Sequence, residues 1–219
     1  MKVKICGIIS MADALACAEA GADMLGFNFY RKSPRYIEPE SALAICDPLR
    51  KQLGNDCPLL VGLFVNEAVG TISVITNKVG LNAAQLSGDE SSAMLAELRG
   101  IAFKSIRPPN KAIALDDVQY YAPSMPQDER KPSLLLDAHH PDLYGGTGLQ
   151  AADEVALAVK ELVPRLMLAG GLSPENVAER IQTIQPWGVD VASGVEDDTP
   201  GKKNIDKVKA FIKAVRDSE

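Results

Sequence analysis

The 219-residue sequence is poor in the residues that build metal centres and disulfide frameworks. Its four cysteines, at positions 6, 17, 46 and 57, show no C-x-x-C spacing, and its two histidines, His139 and His140, are adjacent. A zinc site needs such ligands at spacings that let four of them converge, so the pattern argues against a metal. Cys17 and Cys46 fall in helical, alanine-containing runs and are predicted to be buried as small apolar side chains.

Aromatic residues and long apolar runs are also scarce, and acidic residues outnumber basic ones, 29 to 23. Aromatics make up 5% of the chain, which favours a layered α/β protein over an all-β one. The formal net charge is −6, so we expect no nucleic-acid partner, and an anionic ligand must be held by local groups. No apolar run approaches the length of a membrane span, and Met1 and Lys2 lead straight into a predicted strand. These absences predict a cytoplasmic protein with no membrane partner.

What the sequence does have is an alternation of short apolar runs with longer amphipathic ones. Hydrophobic residues make up 46% of the chain, enough for one sizeable core. The predicted strands are 3–6, 24–29, 59–65, 83–86, 102–106, 133–136, 166–169 and 189–192. The predicted helices are 11–20, 40–50, 67–78, 90–98, 116–121, 152–162, 174–185 and 205–215. Ser10 is placed to cap the first helix and Gly21 to end it, while Ser173 and Pro174 mark the start of the seventh.

Eight strand–helix units without a break in composition predict a single TIM-barrel domain, a (β/α)8 fold over residues 1–219. The alternative is an open doubly wound sheet, which usually carries its phosphate-binding glycines after the first strand. Here the glycine turns follow the seventh and eighth strands, which favours the barrel. The fourth and fifth units have the weakest pattern, and we predict a long loop within residues 111–131.

Functional residues of such a barrel lie where its strands end. Cys6 ends the first strand, and it either fills the barrel interior or acts as a thiolate. The second role needs a cation, a hydrogen bond or a helix start to lower the thiol pKa, and Lys4, two residues earlier on the same face, is a candidate cation. Asp137 directly follows the sixth strand. A carboxylate in this position is a helix cap, a member of a structural ion pair or a catalytic acid. No helix begins immediately after it, which weakens the cap, and we favour the catalytic acid.

Two glycine turns predict a phosphate site. Gly170 and Gly171 follow the seventh strand, and Ser193 and Gly194 follow the eighth; loops at these positions often bind phosphate through backbone N–H groups. Glycine lets the backbone approach an anion closely. Ordinary turn chemistry is the alternative, but two such turns at the expected pair of strands favour phosphate.

Two further loops complete the candidate site. Arg35 lies after the second strand beside Ser33 and Pro34, in a stiffened loop that can aim its planar guanidinium at a carboxylate. Gly145 and Gly146 begin a glycine-rich loop after the sixth strand. That loop lacks the strand-then-helix context of a dinucleotide fingerprint and fits a flexible loop at the barrel mouth.

Together these motifs resemble the phosphoribosylanthranilate isomerase family nearly from end to end. The matching segments are 3–7 (VKICG), 26–29 (GFNF) with 33–35 (SPR), 61–66 (VGLFVN), 85–86 (QL) with Gly88, 136–137 (LD), 145–148 (GGTG), 168–172 (LAGGL) with 174–177 (PENV), and 189–196 (VDVASGVE) followed by 201–202 (GK). So many ordered matches are far more specific than any single motif.

The resemblance implies an enzyme of tryptophan biosynthesis. It would convert N-(5-phosphoribosyl)anthranilate to 1-(2-carboxyphenylamino)-1-deoxyribulose 5-phosphate, an Amadori rearrangement that uses no cofactor. By this carry-over Asp137 is the general acid and Cys6 the general base. The substrate-binding residues would be Arg35, at the anthranilate carboxylate, with Asp190, Gly145 and Gly146. The phosphate would be bound by Gly170, Gly171, Ser193 and Gly194.

Two segments depart from the family pattern, and two other functions remain open. Ser87 stands where the family usually has histidine, and 149–153 (LQAAD) replaces a Phe-Asp-Trp-like triplet. One alternative is another sugar-phosphate isomerase or epimerase, although an epimerase usually needs two opposed bases or a metal. The other is a non-catalytic or re-purposed paralogue that binds a related sugar phosphate. Both a monomer and a homodimer are compatible with the sequence.

Overall fold

The computed structural model describes residues 1–138 and 152–219, and its strands close into a barrel. In these residues the strands are β1 (Lys2–Cys6), β2 (Met24–Asn28), β3 (Leu59–Phe64), β4 (Ala83–Leu86), β5 (Ala102–Ile106), β6 (Leu134–Leu136), β7 (Leu166–Leu168) and β8 (Gly188–Val191). All neighbours pair in parallel and in chain order, and β8 pairs back with β1. The closed ring confirms the (β/α)8 barrel over the open sheet.

A helix follows each strand and covers the outside of the barrel. The helices of the described residues are α1 (Met11–Glu19), α2 (Pro39–Leu53), α3 (Val69–Val79), α4 (Ser92–Glu97), α5 (Lys111–Tyr121), α6 (Asp153–Leu162), α7 (Val177–Ile184) and α8 (Ile205–Asp217). As predicted, the Ser10 side chain caps α1 by accepting from the Asp13 N–H, and Gly21 follows α1 in a left-handed conformation, with φ +99°. Nowhere in the described ranges is a helix both long and apolar enough to cross a bilayer.

Two helix starts differ from the sequence prediction by three residues or more. α5 begins at Lys111 instead of residue 116, because the Asn110 side chain accepts from the Ile113 N–H and caps the helix there. The long loop predicted within 111–131 lies in the second half of that range, after the turn Ala122–Ser124. The seventh helix begins at Val177 instead of residue 174. There the Asn176 side chain accepts from the Ser173 N–H at 2.9 Å, and this turn takes the place of the first helical turn.

Alternation along the strands divides the core into two layers. Val3 and Ile5 of β1 face outward into the large cluster between barrel and helices, where Cys17 and Cys46 are fully buried as predicted. The inward layer fills the middle of the barrel and consists of Met24, Val61, Ala83, Phe103, Leu135, Met167 and Ala169. The next inward-facing positions lie at the carboxyl ends of the strands, and these positions form the floor of the candidate site.

Candidate active site

A cavity opens at the carboxyl ends of the strands. Each strand or the residue that follows it contributes to its wall: Cys6, Asn28, Leu63, Gln85, Ser105, Asp137, Ala169 and Asp190. The enclosed space, including the open mouth, is about 990 Å³. This volume is large enough for a small phosphorylated ligand.

Cys6 lies beside a fully buried cation on the same strand. Lys4 Nζ forms an ion pair with Asp190 Oδ1 at 2.9 Å, across the β1–β8 pairing that sets Lys4 opposite Asp190. Gly26 of β2 leaves the space that both β1 side chains occupy, since a Cβ there would be 2.8 Å from Cys6 Sγ and 3.1 Å from Lys4 Nζ. The thiol and the ammonium group therefore both occupy the space that the missing side chain of Gly26 leaves inside the barrel.

The Cys6 thiol is protonated at neutral pH in the free protein. Burial raises the pKa of the thiol, and the charge and hydrogen bond of Lys4 oppose that rise without cancelling it, while Asp190 adds to it. From the sequence, a nearby cation is expected to lower this pKa. Lys4 does act in that direction, but the net shift of the pKa is upward. The positive charge of Lys4 nevertheless makes the thiolate less unfavourable than burial alone would.

Asp137 lines the same cavity as Cys6. Burial raises the pKa of its carboxyl to about 6, against the lowering effect of the Ala138 N–H, which donates to Asp137 Oδ1 at 2.8 Å. The negative charge of Asp190 adds to the rise, and the positive charges of Arg107 and Lys4 oppose it. A carboxyl group with a pKa near 6 keeps an appreciable fraction of its protons at neutral pH, as a general acid requires.

The turns after β7 and β8 offer a cluster of backbone N–H groups. Gly170 and Gly171 have φ values of +90° and +58°, which glycine adopts without strain. Within the described residues, no acceptor takes the N–H of Gly170, Gly171, Ser193 or Gly194. Gly170, Gly171 and Ser193 line the cavity, whereas Gly194 packs against Leu172 and is not part of the cavity wall. Such a cluster of unpaired donors is suited to an anion.

Arg35 lies at the cavity but is already engaged by a protein carboxylate. Its Nε and Nη2 donate to the two Glu196 oxygens, each at 2.8 Å. The loop that carries it is braced by Ser33, whose hydroxyl accepts from the Arg35 N–H and from the Asn28 amide. The predicted rigid, forked arginine is therefore present, and Glu196 is a partner that the sequence reasoning missed.

Ser87 and Gln85 form a polar pair on the β4 side of the cavity. Gln85 Nε2 donates to Ser87 Oγ at 3.1 Å, and the side-chain oxygen of Gln85, Oε1, is buried without a partner among the described residues. A hydroxyl thus occupies the position where the family resemblance leads one to expect an imidazole.

Lys203, like Glu196, was missed by the sequence reasoning. It is fully buried, and its Nζ donates to the Cys6 carbonyl at 2.6 Å and to Glu196 Oε1 at 2.9 Å. Arg35 and Glu196 are 161 residues apart, so no local pattern reveals this contact. The only signal was that Glu196 closes one of the matched family segments.

Some predicted residues lie outside the part of the chain that the structure describes. These are Gly145 and Gly146, together with His139, His140 and the first three residues of the altered segment 149–153. Among the residues that are described, no group of three or more histidine, cysteine, aspartate or glutamate side chains is placed to hold a metal ion.

The fold is a closed parallel barrel. A thiol and a carboxyl group face one cavity at its mouth, and N–H groups without an acceptor among the described residues lie after β7 and β8. These features define the class of phosphate-binding (β/α)8-barrel enzymes that use acid–base chemistry.

Comparison with known proteins identifies the family within this class to which the chain belongs. The model of the N-(5′-phosphoribosyl)anthranilate isomerase family matches residues 3–214. The N-(5′-phosphoribosyl)anthranilate isomerase of Trichlorobacter lovleyi is 41% identical over 218 residues, which cover 100% of this chain and 99% of that one. The chain belongs to the N-(5′-phosphoribosyl)anthranilate isomerase family.

Two solved structures agree with this membership. One shows monomers of the dimeric phosphoribosylanthranilate isomerase from Thermotoga maritima, with a TM-score of 0.82 at 35% identity over 99% of both chains. Another shows a phosphoribosylanthranilate isomerase in complex with reduced 1-(o-carboxyphenylamino)-1-deoxyribulose 5-phosphate, with the same TM-score, identity and coverage.

Proposed function

We infer that this protein is an aldose–ketose isomerase of tryptophan biosynthesis that converts N-(5-phosphoribosyl)anthranilate to 1-(2-carboxyphenylamino)-1-deoxyribulose 5-phosphate. The observation that carries this function is the placement of Cys6 and Asp137 in one cavity of a chain that matches the family over almost its whole length. The reaction moves two electrons within the substrate, from C2′ to C1′, so its redox balance needs no external oxidant.

Asp137 acts in the first step as the general acid. It donates its proton to the furanose ring oxygen as the C1′–O bond breaks, and the nitrogen lone pair forms a C1′=N bond. The product is an open-chain, positively charged Schiff base. The partly desolvated carboxyl suits this step because its raised pKa of about 6 keeps the proton available near neutral pH.

Cys6 acts in the second step as the general base. Its thiolate removes the proton from C2′, the electron pair of that bond forms C1′=C2′, and the charge on nitrogen is neutralised. The resulting enolamine then tautomerises to the ketone. The buried thiolate is supported by Lys4 on one side and by the cationic Schiff base on the other, and these charges oppose the cost of burial.

The acid and the base share one proton over a wide pH range. Between the Asp137 pKa of about 6 and the higher thiol pKa, the pair holds a single proton, mostly on Cys6. The reactive form has that proton on Asp137 instead. Because both forms carry the same number of protons, their ratio does not change with pH inside this interval.

The remaining contacts hold the two ends of the substrate. The N–H groups at Gly170, Gly171, Ser193 and Gly194 bind the phosphate, and Arg35 binds the anthranilate carboxylate. Asp190 orients the ribose and the Lys4 ammonium. By the family motif, Gly145 and Gly146 are substrate-binding residues as well.

One domain of 219 residues in the cytoplasm accounts for this activity, with a small molecule and not a nucleic acid as its partner. The negative net charge supports the second part of this statement. The relative from Thermotoga maritima is described as dimeric, which supports a homodimer over a monomer for this chain as well.

The function is tested by adding the purified protein to freshly prepared phosphoribosylanthranilate and following the loss of its fluorescence. We expect the fluorescence to fall at a rate proportional to protein concentration, with the carboxyphenylamino-deoxyribulose phosphate as the product identified by mass and chromatography. Binding of the substrate without conversion would favour the non-catalytic paralogue, and conversion to a different product would favour another sugar-phosphate isomerase.

Substituting Gly194 by alanine is expected to disrupt the phosphate turns. A Cβ at Gly194 would lie 1.9 Å from the Leu172 carbonyl oxygen, so the turns after β7 and β8 must separate. We expect KM for the substrate to rise at least about tenfold and the free energy of unfolding to fall by about 1–3 kcal/mol.

Gly70→Ala is the matched control for this substitution. Gly70 lies in α3, and a Cβ there meets nothing within 4 Å, so KM should not change and stability should stay equal or rise by up to about 1 kcal/mol. An unchanged KM in Gly194→Ala would contradict the assignment of these turns to the phosphate.

A further inference from the structure

Glu196 engages the Arg35 guanidinium from the side. The two bonds come from Nε and Nη2, each 2.8 Å from a separate carboxylate oxygen, and both side chains are largely withdrawn from solvent. A guanidinium has five N–H donors, and this side-on contact uses two of them. The opposite, end-on edge consists of Nη1 and the second hydrogen of Nη2. Within the described part of the chain, no other protein acceptor takes a bond from Arg35.

The aliphatic part and the backbone of Arg35 are fixed as well as its guanidinium group. Its Cδ lies over Gly7, where an added Cβ would be only 2.6 Å away. The Ser33 hydroxyl accepts from its backbone N–H at 3.1 Å. With stem, backbone and one edge of the guanidinium fixed, the direction of the end-on edge is fixed too.

Lys203 links Glu196 to the end of β1, the strand that carries Cys6. Its Nζ donates to Glu196 Oε1, to the Cys6 carbonyl and, at 3.2 Å, to the Ala192 carbonyl, so one ammonium joins the ends of β1 and β8 to Glu196. Burial opposes the negative charge of Glu196, but the Arg35 hydrogen bonds and the Lys203 charge outweigh it and lower its pKa. Glu196 therefore stays ionised throughout the working pH range.

The charges of this cluster suit one carboxylate. Arg35 and Lys203 are positive and Glu196 is negative, so the three together carry one net positive charge at the cavity wall. An incoming monovalent carboxylate balances it. A planar aryl carboxylate also matches the two parallel N–H donors of an end-on guanidinium edge.

We propose that Glu196, anchored by Lys203, is a positioning residue that aims the end-on edge of Arg35 at the substrate carboxylate and so gives the site its preference for a carboxylated aniline ring over an unsubstituted one. This inference rests on the proposed function, because it takes Arg35 as the group that meets the anthranilate carboxylate.

The test compares two stable ligands that differ only in the carboxylate. One is reduced 1-(o-carboxyphenylamino)-1-deoxyribulose 5-phosphate, and the other is its phenylamino counterpart without the carboxyl group. Calorimetric titration of wild type is expected to show tighter binding of the carboxylated ligand. The amide of Glu196→Gln keeps the shape but can accept only one of the two Arg35 bonds, so the end-on edge is no longer held in its direction. In this variant we expect the affinity for the carboxylated ligand to fall at least about tenfold and that for the phenylamino ligand by less than about threefold.

Glu196→Asp separates orientation from charge. The shorter side chain keeps the negative charge but cannot reach both Arg35 nitrogens from the same backbone position, so the preference should fall in this variant too. It also serves as the second variant if Glu196→Gln does not fold. Full preference in Glu196→Asp would overturn the role of side-on geometry.

Glu90→Gln is the control for a broken buried ion pair. Glu90 is buried and pairs with Lys104 Nζ at 2.9 Å, away from Arg35. We expect this variant to lose stability as Glu196→Gln does, but to keep the wild-type ratio of the two affinities.

Three results would separate the possible failures. If Glu196→Gln lost affinity for both ligands equally, Glu196 would be merely structural and the proposal would be wrong. If wild type preferred the carboxylated ligand and Glu196→Gln kept that preference, only this inference would fail. If wild type bound neither ligand, the proposed function itself would fail.

Discussion

Asp137→Asn is expected to lower kcat on the order of 10²–10⁴-fold while it makes the folded protein more stable at neutral pH. The activity falls because an amide cannot protonate the ring oxygen. The fold is kept because asparagine retains the side-chain oxygen that accepts from the Ala138 N–H at 2.8 Å. A loss of activity without a loss of stability would therefore show that Asp137 acts in the chemistry and not in holding the fold together.

The gain in stability follows from the raised pKa. An unfolded aspartate has a pKa of about 3.9, whereas burial raises that of Asp137 to about 6. The folded state thus binds the proton more tightly, so ionisation costs stability as pH rises between about 4 and 6, and the full cost is present above 6. Since Asp137 retains some exposure to the cavity, we expect its removal to stabilise the protein by about 1–3 kcal/mol at pH 8 and by less at pH 4.5.

Urea denaturation at these two pH values, together with the fluorescence assay, checks both effects. Asp117→Asn is the matched control, because burial raises the pKa of Asp117 as well, but this residue lies on α5 and does not line the cavity. It should leave kcat unchanged. An Asp137→Asn enzyme with wild-type kcat, or one destabilised equally at both pH values, would contradict the role given to this carboxyl group.

The barrel itself could be predicted from the sequence. Each predicted strand end lies within one residue of the observed one, because turn residues on both sides of a short apolar run fix where the strand begins and ends. Helix starts were harder to predict. The Asn110 cap that begins α5 depends on one side-chain hydrogen bond and the Asn176 turn that delays α7 on two, and a periodic pattern contains neither.

The sequence predicted which residues share the cavity, but not all of the contacts between them. Cys6, Asp137 and the turns after β7 and β8 could be placed together because strand ends converge in any parallel barrel. The side-on grip of Glu196 on Arg35 was not predicted, since the two residues meet only after the barrel closes between β8 and β1. The direction of the thiol pKa shift was also beyond the sequence, because it is set by a balance between burial and the Lys4 charge.

Cys6→Ser carries the other large expected effect, a loss of kcat on the order of a hundredfold or more. A serine hydroxyl fits the space beside Gly26 and can accept from Lys4, so the barrel should fold normally. Its oxygen, however, is a far weaker acid than a thiol, and neither Lys4 nor a cationic Schiff base produces a useful amount of alkoxide. The C2′ proton is then left without a base.

The pH dependence of kcat/KM locates the same pair of groups. In wild type the activity should fall below about pH 6, where Asp137 and Cys6 are both protonated and no base remains. It should stay level above that pH until the thiol ionises as well. Cys57→Ser, at a half-buried cysteine away from the cavity, should keep the wild-type profile. A Cys6→Ser enzyme that retained near-wild-type kcat would show that another group removes the C2′ proton.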